Sequence, residues 1–263
     1  MKVLIPTDFS KYSEATISCA INELKKITDC EIILMHVIEI DPEMVDAFAG
    51  VSLDDAVKAL TERAIKKLED NVKLFKEAGM KVDYLQPVVG DPVNEIVKAA
   101  EAENVDLIFM GAKGNGMLRK VLLGSVSEGV VASSKLPVLI TKFKIEGKTF
   151  KIDGGLFDKV LYAFDQSEKS KELLSFLKKL PIKEIVALHV VENEVDFEFI
   201  ESVKKELPNA NILLKMGKPG KTILKVAKET KATLVAISSG EGDVGSVADY
   251  VIRRSNRAVL VYK

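Results

Sequence analysis

The chain has no tryptophan, only two cysteines and only two histidines in 263 residues. Two cysteines, Cys19 and Cys30, cannot build a disulfide framework, so burial of apolar surface must hold the fold. Cys19 falls among helical core positions and Cys30 precedes a strand, so both are expected as small buried apolar groups. No His/Cys cluster has metal-ligand spacing and no Gly-x-Ser-x-Gly elbow occurs, so neither a metal centre nor a serine nucleophile is signalled. No apolar run reaches the ~18 residues of a transmembrane helix. Neither charge sign dominates: the net charge is −1, which gives no footprint for nucleic acid. The N-terminus, Met1-Lys-Val-Leu-Ile-Pro-Thr-Asp8, carries charge before any long apolar region and has no signal-peptide pattern. A cytoplasmic location, with no membrane and no nucleic-acid partner, is the expectation.

What is present is an alternation of short apolar runs and amphipathic stretches. Lys2-Val-Leu-Ile-Pro-Thr7 reads as a strand, followed by the turn Asp8-Phe-Ser10. Ile17, Ala20, Ile21, Leu24 and Ile27 share one helical face, with Ser10 or Ser13 as N-cap. Residues 31–37 form a second strand, and 38–52 a loop that Asp41-Pro42 opens. Val57, Leu60, Ala64, Leu68, Val72 and Phe75 mark a longer helix, which Gly79 ends at the C′ position. Residues 81–88 give a third strand. Asp91 then caps a helix that Pro92 begins, with Val93, Ile96, Val97 and Ala100 as its core face. Strand 105–110, a glycine loop, helix 125–134 and strand 137–141 complete the series. This order predicts an α/β fold with a doubly wound parallel sheet and helices on both faces.

The glycine loop carries the chemistry. Gly111-Ala-Lys-Gly114-Asn-Gly-Met-Leu-Arg-Lys-Val-Leu-Leu-Gly124-Ser125 joins a buried strand ending at Met110 to a helix. Glycines let backbone N–H groups approach phosphate oxygens, and a helix N-terminus adds partial positive charge. The Ser125 hydroxyl can cap that helix or donate to a phosphate. The other reading is a loop that simply closes a strand–helix turn. Lys113, Arg119 and Lys120 either meet phosphates or form a solvated basic face.

The chain then repeats itself. Lys159-Val-Leu-Tyr-Ala-Phe-Asp165 echoes Lys2-Val-Leu-Ile-Pro-Thr-Asp8, and His189-Val190 echoes His36-Val37. Gly217-Lys-Pro219, Gly245-Ser246-Val247 and Ala258–Val261 echo Gly90-Asp-Pro92, Gly124-Ser125-Val126 and Pro137–Ile140. Internal repetition predicts two domains, 1–142 and a shorter 158–263, with 143–157 as a linker that includes a short hairpin. The apolar terminal strands 137–141 and 258–262 need cover and are the expected meeting surface of a pseudo-dimer.

The spacing Gly, two residues, Gly, nine residues, Gly-Ser resembles the nucleotide loop of the universal stress protein family, in its ATP-binding branch. Met110 and Gly124-Ser-Val-Ser127 match that branch, and the resemblance covers nearly the whole chain as a tandem pair. It implies two Rossmann-like, adenine-nucleotide-binding-type domains and a regulatory or stress-response role. The implied ligand is ATP or AMP, with Mg2+ a candidate companion of ATP. Asp8 would serve the adenosine end, and Val37 would meet adenine through its backbone. Gly111, Gly114, Gly124, Ser125 and Val126 would hold ribose and phosphates, with Pro6, Thr7, Met110 and Ser127 flanking them. Independently of the resemblance, Asp8 and Gly111 both follow strands directly, and so emerge on the edge where parallel sheets bind ligands. Asp8 could equally cap the helix that follows it.

In the second repeat Asp165 and His189-Val190 are kept, but the loop contracts to Ser238-Ser-Gly-Glu-Gly-Asp-Val-Gly245-Ser246, which lacks most of the nine-residue spacer and places Glu241 and Asp243 where phosphates need positive or neutral surroundings. That half is expected to be nucleotide-free or to bind nucleotide weakly, because like charges there oppose a triphosphate. Gly240-x-Gly242-x-x-Gly245 lacks the downstream acidic residue of a dinucleotide fingerprint. Gly217-Lys-Pro-Gly-Lys-Thr222 has Lys215 where a P-loop needs glycine, and reads as a helix start. Competing functions are a slow ATPase, an ATP-dependent enzyme of a related fold, or a scaffold with a structural nucleotide. Beyond the nucleotide, the partners expected are an unidentified protein and the internal pseudo-dimer, with a homodimer as the further option.

Overall fold

The computed structural model describes residues 1–40, 52–112, 123–146, 149–151, 154–191, 197–239 and 245–263. They fall into two compact units: 1–111 with 125–136, and 112–124 with 137–263.

The first unit runs β1 (Lys2–Pro6), α1 (Lys11–Leu24), β2 (Glu31–Met35), β3 (Val37–Ile38), α2 (Leu53–Glu77), β4 (Lys81–Tyr84), β5 (Val88–Val89), α3 (Pro92–Ala102), β6 (Leu107–Gly111) and α4 (Ser125–Ser133). Its main sheet has the order β6-β1-β2-β4, and all its strands are parallel. Because β1 has a neighbour on each side, Val3, Leu4 and Ile5 are all fully buried, as a continuous apolar run requires in a parallel sheet. The local punctuation acts as expected. Ser10 caps α1 by accepting from Ser13 N, Asp91 caps α3 by accepting from Asn94 N at 2.8 Å, and Gly79 ends α2 with φ +78°.

Two expected strands are each broken. Strand 31–37 stops at Met35 and strand 81–88 at Tyr84, and the segments beyond pair with each other as the parallel ladder β3–β5. The break has a cause on both strands. Met35 O takes the N–H of Thr7 at 2.8 Å, and the His36 ring turns to donate from Nδ1 to Thr7 O at 2.8 Å. On the other strand, Pro87 has no N–H with which to continue the ladder.

The second unit runs β7 (Val138–Thr141), β8 (Lys144–Glu146), β9 (Thr149–Lys151), β10 (Lys159–Phe164), α5 (Glu168–Leu177), β11 (Glu184–Val191), α6 (Phe197–Glu206), β12 (Asn211–Met216), α7 (Pro219–Glu229), β13 (Leu234–Ser238), α8 (Ser246–Arg254) and β14 (Ala258–Tyr262). Its sheet order is β12-β11-β10-β13-β14-β7. Every pairing is parallel except β14–β7, where Val261 faces Val138 and Val259 faces Ile140 in antiparallel register. The two apolar terminal strands picked out in the sequence therefore cover each other. Through that pairing Val138–Thr141 groups with the second unit, although the repeat places it before residue 142. The expected hairpin is β8–β9. The ends of the expected linker are core rather than solvated: Phe143, Leu156 and Phe157 are buried.

Lys142 is buried with them. Its Nζ donates to Ile252 O and, at 3.0 Å, to Ser255 O, satisfying carbonyls at the end of α8. Burial pushes this amine down to about 8. Cys19 and Cys30 are buried and free, as their apolar surroundings in the sequence imply. Among the described residues no helix is long and apolar enough to cross a membrane.

Candidate functional site

In the first unit the chain runs from β1 outward through β2 to β4, then returns to place β6 on the other side of β1. The carboxyl ends of β1 and β6 therefore flank the topological switch point, where open α/β sheets form a crevice. Pro6 ends β1 and Gly111 ends β6.

The turn after β1 is built around Asp8, which is exposed. Its Oδ1 accepts from Ser10 N at 3.0 Å and from the Ser13 hydroxyl, and Ser13 Oγ in turn accepts from Asp8 N at 3.1 Å. Partial burial alone would raise this carboxyl. The bonds from Ser13 and Ser10 outweigh it, and the net shift is below the usual aspartate range. Asp8 thus stays ionised and fixed. The capping alternative falls to Ser10, which holds the N-cap position itself.

Phe9 adopts φ +57°, a left-handed conformation that is strained for a bulky residue. Three contacts hold it there. Its N–H donates to Thr7 Oγ1 at 3.1 Å, its ring lies 4.4 Å from that of His36, and Lys67 Nζ sits 4.8 Å above the ring centre. Burial first, and the Lys67 charge, press His36 below its ordinary value, so the ring is neutral with its proton on Nδ1 toward Thr7 O. Thr7 is consequently buried, and its hydroxyl oxygen and carbonyl both accept within this network. Val37 is half-buried and pairs with Val88.

Across the switch point, the glycine at 111 answers to packing. A Cβ there would lie 2.2 Å from Thr16 Oγ1 on α1, and that hydroxyl is committed to Tyr12 O at 2.8 Å. Gly111 thus lets α1 lie against the end of β6. Its carbonyl accepts the buried Ser127 hydroxyl at 3.0 Å, which ties α4 to the strand. Met110 is buried in the strand, and Val126 is half-buried in the first turn of α4. Ser125 begins α4 and is exposed, and Gly124 directly precedes it. Gly114, Lys113, Arg119 and Lys120 lie outside the described residues. The structure thus brings Asp8, Gly111, Ser125, Val126 and Ser127 to one edge of the first unit, and gives Thr7 and Ser127 structural duties. Phe9, Ser13 and Thr16 complete the edge without a strong sequence signal. Only the Ser10/Ser13 capping pattern hints at Ser13.

The second unit repeats the plan with changed wiring. Its switch point lies between β10 and β13. Tyr162 stands where the first repeat has Ile5, and its hydroxyl donates to Ser170 O at 2.7 Å. Ser170 Oγ lies 3.1 Å from that hydroxyl and takes the N–H of Asp165. The serine matching Ser13 is thereby drawn into the core, and Asp165 Oδ1 is met instead by Ser167 N at 3.0 Å and Ser167 Oγ at 2.5 Å. Lys218, which replaces the capping Asp91, provides no side-chain cap for α7. The P-loop-like segment is therefore a helix start. In the dinucleotide-like pattern, Gly240 and Gly242 lie outside the described residues.

A parallel α/β unit carried twice, with its switch point between β1 and β6 in one copy and between β10 and β13 in the other, defines a tandem doubly wound class of protein. The family model described as the universal stress protein family matches residues 1–142 and 198–263, and the chain belongs to that family. A universal stress protein of Methanocaldococcus jannaschii is 40% identical over 54% of this chain and 95% of its own length. A second from the same organism is 34% identical over 54% of this chain and 81% of its own length. A solved universal stress protein from Archaeoglobus fulgidus is 32% identical, with a TM-score of 0.76 across 100% of this chain and 96% of its own. Both the tandem α/β fold and a place among stress-response proteins follow.

Proposed function

We propose that this chain is a regulatory adenine-nucleotide-binding protein, with ATP or AMP held by the first unit and a protein partner reading its occupancy. The observation that carries the reading is Asp8. It is an exposed carboxylate, kept ionised by Ser13 and Ser10, at the carboxyl end of β1 beside the switch point. Such a group accepts from the hydroxyls of a sugar. On the neighbouring strand Gly111 leads toward the loop whose glycines are spaced for phosphates, and α4 begins beyond it with Ser125 exposed. The backbone at Val37, which opens β3 just beyond the end of β2, would meet the base. These residues fit a nucleotide by the chemistry of their donors and acceptors, and Mg2+ would enter with the phosphates of ATP.

The test is equilibrium titration of the full chain with ATP and AMP, alongside mass spectrometry of any nucleotide released on denaturation. About one nucleotide per chain is expected, because the phosphate-loop spacing occurs in the first repeat alone. Asp8→Ala should weaken binding by about 10- to 100-fold, the worth of a hydrogen bond to a charged group. Asp165→Ala should leave ATP affinity unchanged. Two equivalent ATP sites, or equal losses from the two variants, would overturn the assignment.

A further inference from the structure

The second unit has a pocket at the edge opposite Asp165, where α7 ends ahead of β13 and α8 ends ahead of β14. Its volume is about 250 Å3. Leu224 and Ala227 give it an apolar wall, and Lys228, Arg254 and Arg257 bring three cations. No carboxylate is among the described residues that line it. Arg254 is held in place. Its guanidinium lies 4.2 Å from the centre of the Tyr250 ring, and that ring packs on Gly220, where a Cβ would come within 2.6 Å of it. The neighbouring acids are taken elsewhere, Asp249 by Arg253 at 2.7 Å and Glu229 by Lys225 at 3.9 Å. Neither Arg254 nor Lys228 forms an ion pair with a described residue.

Cations near helix C-termini commonly offset the carbonyls there. Here other groups fill that duty. Lys142 Nζ takes Ile252 O and Ser255 O at the end of α8, and at the end of α7 Val226 O takes the Thr230 N–H and hydroxyl. The first unit builds the same turn without the charges. Ser134 bonds the N–H and carbonyl of Leu136 as Ser255 bonds those of Arg257. By the repeat, Lys228, Arg254 and Arg257 stand where the first copy has Glu101, Ser133 and Leu136. The glycine of the helix contact also changes sides, from Gly129 against Val93 to Gly220 against Tyr250, and this puts a ring beneath Arg254. The cations thus belong to the pocket and not to the turn. Two guanidinium forks and an ammonium carry more charge than one carboxylate neutralises, and they match the several oxygens of a phosphoryl group. The volume lies below the ~300–1,000 Å3 of clefts for drug-sized ligands, so it is too small for a whole nucleotide. It leaves room for a phosphoryl group with a short substituent along Leu224 and Ala227. We propose that this pocket binds a phosphate dianion, free or as the ester of a small alcohol. The proposal stands independently of the nucleotide site assigned to the first unit.

The test is phosphorus NMR of the full chain, titrated with inorganic phosphate and with methyl phosphate, each with and without ATP. One equivalent per chain is expected to bind whether or not ATP is present, and the tighter of the two probes tells the free ion from the ester. Affinity for methyl phosphate should rise as pH passes about 6, where its second proton leaves. Arg254→Ser and Lys228→Glu install the first copy's residues at exposed positions, and each should weaken binding by about tenfold or more. Tyr250→Leu keeps the charge but removes the ring, and should weaken binding by about two- to fivefold. Arg253→Ser removes the same charge one residue away and should leave binding unchanged. The proposal is overturned if neither probe binds, or if an equal concentration of ATP displaces the phosphate. It is equally overturned if acetate competes as well as phosphate, or if Arg253→Ser costs as much as Arg254→Ser.

Discussion

Replacing Gly111 by alanine separates the two reasons a glycine could stand at the end of β6. If it were needed only for phosphate approach, Gly111→Ala would impair ligand binding and leave the apo-protein as stable as before. The structure predicts otherwise. The new Cβ would lie 2.2 Å from Thr16 Oγ1, so atoms must separate by about 1 Å to reach ordinary contact. Thr16 cannot simply retreat. It is 1% exposed, and its hydroxyl donates to Tyr12 O at 2.8 Å. Turning that hydroxyl away costs about 1 kcal/mol of hydrogen bond, and overpacking of a buried contact costs about 1–3 kcal/mol in all. The loss should lower the melting temperature of the first unit by about 2–8 °C for each kcal/mol, depending on whether the two units melt together. Differential scanning calorimetry of the nucleotide-free protein reads this directly. The second half of the prediction is rescue. With Thr16→Ala, the nearest atoms to the new Cβ become Thr16 Cβ and Tyr12 O, both at 3.5 Å, which is normal contact. The double variant should therefore be destabilised by less than the sum of its parts, whereas Thr16→Ser, which keeps the hydroxyl, should not help. A Gly111→Ala protein that melts with the wild type, or one whose loss is unchanged in the Thr16→Ala background, would refute the packing account.

Three other outcomes follow from the same contacts. Ser127→Ala removes the buried hydroxyl that donates to Gly111 O, and should cost about 1 kcal/mol in urea denaturation without altering the fold. Lys142 is depressed from 10.5 to about 8, so between those values the unfolded chain holds a proton that the folded chain releases. Its contribution to stability therefore grows as pH rises through that window. The stability of the wild type minus that of Lys142→Met, measured by urea denaturation at several pH values, should increase over the same interval. Burial pushes the thiols of Cys19 and Cys30 up to about 12 and about 11. A thiol reagent at pH 8 should label neither in the native protein and both after denaturation, and fast labelling of either in the native state would contradict their placement.

The parts of this protein that its sequence determined are those governed by neighbours a few residues away. Ser10 and Asp91 start helices because their oxygens reach an N–H three residues on, and Gly79 stops one because only glycine takes its φ cheaply. The buried faces of α1 and α2, the tandem repeat and the position of Asp8 at a strand end were legible for the same reason: period and spacing are local quantities. Tertiary structure decided the rest. Gly111 has a packing reason in Thr16, 95 positions earlier in the chain, which becomes visible only once α1 is in place. Phe9 sits at a φ that its residue type argues against, stabilised by His36 and Lys67 from two other elements. Strand 138–141 belongs where its backbone finds a partner, on β14, and no pattern within the strand encodes that choice. Asp8 and Asp165 look alike in sequence, yet Asp8 is tied to the hydroxyl of Ser13, five residues on, and Asp165 to that of Ser167, two residues on. The difference is a single hydroxyl at Tyr162, whose effect passes through space to Ser170 and reaches the carboxylate only in the folded unit.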